Sequence, residues 1–543
     1  MAQLRPLGVQ RFVTVGLGGL SGLLYTLSIP RSDLGWLAWI CLVPCFHAVH
    51  VARDRRFCVR SGWIGRAAEL GLAFGIVSGI GRVYWIAETL TNYGALAASE
   101  AIVTTAALIL YLALYPICFF LVISRLLRFG TPIFAWLSAC VWIVLEWAQS
   151  WVITGFPWEL LGYSQYRNLP VIQTVSVTGI YGVSFLVALI NASLSQALIF
   201  RRRLLTYIGP PAFLLVLALT LGYIRLAELD AASNTSSRIQ VGIVQGNIPQ
   251  GEKWKEGRSQ RSTDKYLDLT RQLVQKEGSA ALDLIIYPET ALPFPLNHPA
   301  YDSYRQRIIS LVQEIEVPLL VGALKRTSDN QTLNRAFLFD VDGQVVGSYD
   351  KVHLVPFGEY LPLPWLFQYM QGLTAQSGAF AEGSGFSSLP LHLRDDRVLP
   401  FGVFICFESV FPQITRALVQ EGAQFIVNTT NDAWFGRTAA PYQHLSMAIV
   451  RAVETGRPLL RAANTGISAV VEPSGQIVQT TRLFDTRVLS ASISPSTELT
   501  LYVRYGDFFV GICGLVLVGC ALITLKRQRS TASIPPSDAH QLQ

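Results

Sequence analysis

The sequence predicts a helical membrane domain of several spans, interrupted late by one soluble α/β domain. Three observations predict it. The 543-residue chain is 51% hydrophobic and 15% charged, whereas soluble domains carry about 25% charged residues. The shortage is uneven: the chain is strongly apolar before about residue 227, globular in character over 228–505, and apolar again over 508–525. Within the globular stretch, short apolar runs alternate with segments whose apolar residues recur at helical spacing. The expected division is a transmembrane domain of about seven spans at 1–227, a soluble α/β domain at 228–505, a last transmembrane helix at 506–526 and a polar, disordered tail at 527–543.

A spanning helix needs roughly 20 mostly apolar residues. Candidates are 11–29, 34–51, 70–90, 101–124, 132–152, 171–200 and 208–226, with a last one at 508–525. The first follows Arg5 and Arg11, so a cleaved signal peptide is the alternative, although no small-residue cleavage site stands out after it. Basic residues in short loops set orientation. With eight spans, Arg5 and Arg11, the cluster Arg53 to Arg66, Arg125 and Arg128, Arg201 to Arg203, and Lys526 to Arg529 all fall on one side. The alternate loops carry little beyond Arg31 and Arg167. This pattern puts both termini in the cytoplasm and the soluble domain outside. Arg82, Glu88, Glu146 and Glu159 lie in or near spans, where charge is costly and often functional; snorkelling at the interface is the alternative. The Trp-rich stretch Trp142, Trp147, Trp151, Phe156 and Trp158 reads as an interfacial belt, or as a lipid-facing wall beside a site.

The net charge of +7 does not imply a nucleic-acid partner, because most of the excess Arg flanks apolar segments and no RNA- or DNA-binding signature is present. Of eight cysteines, only Cys406 lies in the soluble domain, which therefore has no internal disulfide. The His residues are scattered, with neither HExxH nor a carboxylate–His cluster, so no metal or other cofactor is expected.

In the soluble domain, 228–238 reads as a polar linker. Strands are expected at 239–245, 282–287, 317–321, 336–339, 345–349, 398–404, 425–428 and 469–471, and helices at 263–275, 305–313 and 443–454. Three strand ends carry reactive groups. Glu289 follows the run Ile285-Ile286-Tyr287-Pro288; burial there would make it a proton acceptor near neutral pH, and a turn residue or helix cap is the alternative. Lys351 ends the run before Val352-His353 and could stabilise an oxyanion, or simply pair with a carboxylate at the surface. Cys406 ends Phe401-Gly402-Val403-Phe404-Ile405 and is either a nucleophile or a buried structural thiol. His353 is a weaker candidate base, since Leu354-Val355-Pro356 suggests that its strand is ending.

Taken together, Glu289, Lys351 and Cys406 resemble the Glu–Lys–Cys triad of the nitrilase (carbon–nitrogen hydrolase) superfamily, and the chain as a whole resembles the apolipoprotein N-acyltransferase family. The motifs that carry the likeness are Val244-Gln245-Gly246-Asn247-Ile248-Pro249-Gln250, Tyr287-Pro288-Glu289-Thr290-Ala291-Leu292-Pro293, the run from Lys351 to Glu359, Asn431-Asp432-Ala433-Trp434-Phe435-Gly436, and Gly456-Arg457-Pro458-Leu459-Leu460-Arg461-Ala462. The resemblance implies an αββα sandwich in a bacterial inner-membrane protein, with its catalytic domain in the periplasm. It implies that Glu289 is the general base, Cys406 the acylated nucleophile, and Lys351 with the Phe407 N–H the oxyanion site. The implied donor is a phospholipid, phosphatidylethanolamine, and the implied acceptor is the N-terminal diacylglyceryl-cysteine of an apolipoprotein. Glu359 and Glu408 would orient the triad, Trp254 and Trp434 would lie near substrate, and Trp365, Phe367 and Tyr369 would belong to a lipid-receiving lid. Phe407 departs from the usual Tyr, which removes a hydroxyl but keeps the backbone donor. A membrane-tethered amidase, and a transporter or sensor with a ligand-binding outer domain, are the competing functions.

Overall fold

The computed structural model describes residues 7–53, 62–94, 96–127, 132–235, 237–253, 257, 259–360 and 380–532. Among the described residues, five helices are long and apolar enough to cross a bilayer: Ile64–Val83, Ala98–Leu126, Ile180–Ile199, Arg201–Ser233 and Phe508–Lys526. Other expected spans take different forms. The segment expected at 132–152 is the shorter helix Ile133–Gln149, and that at 34–51 divides into the turn Gly35–Trp39 and the helix Val43–Arg53. The segment expected at 171–200 starts as two short turns and becomes a continuous helix only at Ile180, after Gly179 takes a φ of +63°. Glycine allows close helix contact between Ile64–Val83 and Ala98–Leu126. A Cβ on Gly71 would stand 2.6 Å from the Ile117 Cα, and one on Gly75 would stand 2.6 Å from the Ala113 Cβ.

Two helices run past the expected boundaries. The helix Leu204–Thr235 carries the chain through most of the expected 228–238 linker, and the last helix, Phe508–Ala532, passes residue 526 into the expected tail. Helix propagation adds one hydrogen bond per residue, so polar residues extend an established helix where they could not start one.

Among the described residues the soluble domain has thirteen strands: β1 (Ile239–Gln245), β2 (Leu284–Ile286), β3 (Leu292–Pro295), β4 (Leu319–Arg326), β5 (Thr332–Phe339), β6 (Val345–Asp350), β7 (Ser388–His392), β8 (Val398–Ile405), β9 (Ile426–Thr430), β10 (Leu459–Ala463), β11 (Ala469–Val471), β12 (Ile477–Thr480) and β13 (Arg487–Ile493). The first sheet runs β13-β1-β2-β4-β5-β6 with β3 also paired to β4; the second runs β12-β11-β10-β9-β8-β7. Each has a parallel centre, β1-β2-β4 and β8-β9-β10, and antiparallel flanks.

Alternation along the strands builds the layers. Leu284 and Ile286 face inward and pack in one core with Phe401, Val403 and Leu460 of the second sheet. Ile285 and Tyr287 face outward, into a second core with Leu273 and Leu311 from the helices Ser259–Glu277 and Asp302–Ile315. Central strands buried on both faces need continuous apolar runs, which is why β1, β2, β4, β8 and β9 read plainly in the sequence, while β10, which carries Arg461, is an addition to the expected strands. On the outer face of the second sheet lie Pro412–Gln420 and Ala440–Thr455, completing an αββα sandwich. The helix Ala440–Thr455 is buried along its length except at Tyr442, because the membrane domain covers its other side. There the Trp158 indole donates to Gln443 Oε1 at 2.8 Å, and the backbone N–H of Ile180 donates to Glu454 Oε1 at 3.0 Å.

The charged residues near the spans follow the same junction. Arg82 is buried and donates twice to the Trp158 carbonyl, at 3.0 and 2.7 Å, rather than snorkelling. Glu146 accepts from the Leu161 N–H at 2.8 Å, Glu159 accepts from the Ser446 hydroxyl at 2.7 Å, and Glu88 is exposed. Of the Trp-rich stretch, Trp147 and Trp151 are exposed as an interfacial belt requires, whereas Trp142 and Trp158 are core residues.

Candidate active site

Three strand ends meet at one end of the sandwich. Glu289 and Cys406 follow the carboxyl ends of the parallel strands β2 and β8, the usual location of ligand-binding crevices in α/β folds. Lys351 follows β6. All three are buried. The Lys351 ammonium lies 3.6 Å from Glu289 Oε1 and 2.7 Å from Glu359 Oε1. Burial alone would lower its pKa, but Glu359 and then Glu289 outweigh burial and hold the ammonium above the ordinary lysine range, so it stays charged.

Glu289 is fixed by a residue that sequence reasoning missed. Asn334, on β5, donates from Nδ2 to Glu289 Oε1 at 2.7 Å, while Glu289 Oε2 has no partner among the described residues. The turn that carries Glu289 also needs Gly322 on β4. A Cβ there would lie 2.2 Å from the Pro288 carbonyl oxygen and 2.9 Å from the Glu289 Cα.

Cys406 has a φ of +52°, a left-handed conformation that is costly for a residue with a Cβ and that clusters at functional sites. It starts the helical turn Cys406–Val410, whose first N–H groups have no partner inside the turn. Burial pushes the thiol pKa up, the Glu289 charge adds to this, and Lys351 opposes it. The resting group is therefore a thiol that needs a base at the moment of attack. The His444 Nε2 lies 3.0 Å from the Cys406 carbonyl oxygen; a carbonyl only accepts, so Nε2 carries the proton. His444 in turn sits in a buried group with Asp432, Arg461 and Asn428. These residues were also missed: Asp432 and Arg461 lie in motifs noted above, but nothing local to the chain ties them to Cys406.

Glu408 joins two of the strand ends. Its Oε1 accepts from the Tyr349 hydroxyl at 2.9 Å and from the N–H groups of Val352 and His353 at 2.7 and 3.0 Å, and its Oε2 accepts from the Ile405 N–H at 2.6 Å. Burial pushes its pKa up to about 7 against these bonds. Glu359 is similarly anchored, with Oε2 accepting from the Val355 N–H at 2.8 Å. Phe407 is buried against Phe411 and Phe156, with ring centres 5.2 and 6.1 Å apart.

His353 is not placed as a base. Its strand ends at Asp350, its ring packs 3.9 Å from the Phe411 ring centre, and burial followed by Lys351 lowers its pKa to about 4. Trp434 is half-buried at the junction with the membrane domain, where its carbonyl accepts from the Thr89 hydroxyl at 2.9 Å and its ring meets Tyr93. Trp254, Trp365, Phe367 and Tyr369 lie outside the described residues. Among the described residues no His, Cys, Asp and Glu cluster is arranged to hold a metal ion.

Comparison with known proteins agrees with this architecture. Residues 21–193 match the apolipoprotein N-acyltransferase N-terminal domain, and residues 240–500 match the carbon–nitrogen hydrolase family. Over 517 residues the chain is 37% identical to the apolipoprotein N-acyltransferase of Geobacter metallireducens, covering 93% of each. It is 33% identical to that of Nitrosomonas europaea, covering 87% of this chain and 91% of the relative. An amidase from Nesterenkonia sp. aligns with 50% of this chain and 95% of its own, at a TM-score of 0.36 and 20% identity. The chain belongs to the apolipoprotein N-acyltransferase family and is a membrane-embedded acyltransferase built on a carbon–nitrogen hydrolase domain.

Proposed function

We propose that this enzyme moves a fatty acyl chain from a phospholipid, through a thioester on Cys406, to the N-terminal amino group of the diacylglyceryl-cysteine of an apolipoprotein. The observation that carries the reading is the convergence of a carboxylate, an ammonium and a thiol in a buried site next to apolar helices. Glu289 takes the thiol proton as Sγ attacks the ester carbonyl. Lys351, with the Phe407 N–H, holds the oxyanion; a buried, permanently charged donor suits that role because it needs no rearrangement as charge develops. The ester C–O bond then breaks, and Glu289 passes its proton to the departing lysophospholipid. In the second half, the acceptor amine attacks the thioester and the Cys406 thiolate leaves. Two feasible steps replace one difficult amide synthesis, and the lipid ester supplies the activation.

Phosphatidylethanolamine is the proposed donor. A route for it is supported by the exposed apolar residues Trp151, Val152 and Ile153, which follow the helix Ile133–Gln149 and lead through Phe156 to Phe407. The basic loop pattern supports an inner-membrane orientation with the catalytic domain in the periplasm. The test is to incubate purified protein with phospholipid labelled in its acyl chain and to look for hydroxylamine-labile label on the wild type and on Cys406→Ser. Label on the wild type alone is expected. A wild type that never takes up label would refute the reading, and label released only as free fatty acid would indicate a hydrolase instead.

A further inference from the structure

Lys253 is a second buried lysine beside the triad, and the chemistry described above does not use it. It ends the short turn Gln250–Lys253 after β1 and is 2% exposed. Its Nζ donates to the Thr290 hydroxyl at 2.7 Å and to the Glu289 carbonyl at 3.3 Å. No carboxylate among the described residues pairs with it, since Glu289 and Glu359 both face Lys351. The ionisable groups facing it are Glu289 and Cys406, with Lys351 on the far side of Glu289. Burial lowers its pKa to about 7, only partly offset by those two groups. A neutral lysine amine has two N–H donors and one lone pair. With both donors engaged by Thr290 and Glu289, the lone pair is left over.

The second half-reaction has a proton to place. An α-amino group has a pKa of about 7.7–8.0 and arrives mostly as ammonium. Its nitrogen loses two protons in becoming an amide. Glu289 handles one, because it receives a proton from the attacking nitrogen and returns it to the leaving thiolate. The other needs a second base.

Resting on the acyl-transfer reading above, we propose that Lys253 is the catalytic base that takes the first proton from the acceptor's α-ammonium group. The balance is complete. The Lys253 lone pair takes one proton from the ammonium, freeing the amine. The amine nitrogen forms the C–N bond and passes its second proton to Glu289. The C–S bond breaks toward sulfur, the Cys406 thiolate recovers the proton from Glu289, and Lys253 later releases its own to water.

A structural role in holding the Glu289–Thr290 turn makes a different prediction, so the two half-reactions are measured separately. The full-length enzyme is loaded with labelled phospholipid, then chased with a diacylglyceryl-cysteinyl peptide or with hydroxylamine, a nucleophile already neutral near pH 7. In Lys253→Met, transfer to the peptide is expected to fall about 100-fold, the scale of one general base, while loading falls far less. Hydroxylamine discharge is expected to stay close to the wild-type rate, and peptide transfer to recover as pH rises through the acceptor's own ionisation. Peptide transfer within about threefold of wild type, or a common fall in loading, peptide transfer and hydroxylamine discharge, overturns the proposal. Should the variant fail to fold, the wild-type acyl-enzyme decides. Its single-turnover transfer to peptide should depend on a group that ionises at about 7, below the acceptor's own ionisation at about 7.7–8.0, and that discharge by hydroxylamine does not need; a peptide profile that follows the acceptor's ionisation alone overturns the proposal. A wild type that takes up no label is a different failure, that of the acyl-transfer reading itself.

Discussion

Two buried charged clusters lie within one sandwich, and they are built in opposite ways. Around Asp432 the polar valences are closed: Oδ2 receives Arg461 Nη2 at 2.8 Å, Oδ1 receives the Thr430 hydroxyl at 2.9 Å, and Arg461 also reaches Asn428 and the Ile467 carbonyl. Around Glu289 they are left open: among the described residues Oε2 has no partner and Lys253 has no carboxylate partner. An unpaired buried polar group costs free energy, and beside reactive groups it leaves a valence that a substrate or a proton can use. The closed cluster braces the Cys406 turn from behind through His444, and the open one holds the groups proposed to react.

The contrast can be broken most sharply at the open cluster. Cys406→Ser and Glu289→Gln are each expected to lower acyl transfer by about 1000-fold or more while the protein stays folded. Near-normal transfer by either one in a labelled-lipid assay would remove it from the triad. Next, Lys351→Met leaves Glu289 and Glu359 facing each other with no cation between them. Loss of about 100-fold in transfer, together with roughly 3–5 kcal/mol of stability, is expected. If denaturation in detergent shows no destabilisation, the pairing described here is wrong.

The closed cluster should respond in stability before rate. Asp432→Asn is expected to cost on the order of 3 kcal/mol and to slow transfer only by about tenfold, through His444. The pH dependence has a definite sign. Burial alone would raise the Asp432 pKa, but Arg461 and His444 hold it down at about 2. A depressed carboxylate stabilises the fold fully above its unfolded value of about 3.9 and loses that contribution as pH falls through its folded value. The stability difference between wild type and Asp432→Asn should therefore be constant near neutrality and shrink between about pH 4 and pH 2. A difference that grows on acidification contradicts this account. The smallest effect belongs to His353, which packs on Phe411 beside the triad without joining it. In His353→Phe the transfer rate should change by less than about threefold, and a larger loss would reopen its case as a base.

The legible features share one property: each is local. Continuous apolar runs marked the central strands β1, β2, β4, β8 and β9 because both faces of each sheet are buried, whereas the central strand β10 was missed because Arg461 interrupts its run, and the helices 263–275, 305–313 and 443–454 sit inside Ser259–Glu277, Asp302–Ile315 and Ala440–Thr455. Short or edge strands such as β3, β7, β12 and β13 escaped notice because their burial is intermittent. The bracing residues escaped for another reason. Asn334 lies 45 residues from Glu289, and His444 lies 38 from Cys406. No spacing rule reaches across such gaps.

By itself the sequence determined that apolar helices enclose an α/β domain, and that Glu289, Lys351 and Cys406 each stand where an apolar run stops, because period, hydropathy and strand termination are properties of neighbouring residues. Only the tertiary structure decided that these ends meet, that Asn334 and Glu408 hold them in place, that Asp432 and His444 close the space behind Cys406, and that Lys253 lies buried without a carboxylate partner among the described residues. Which strands pair, and which side chains share a desolvated interior, depends on how two sheets and a membrane domain pack together. That packing also sets which charges are paired and which stay reactive.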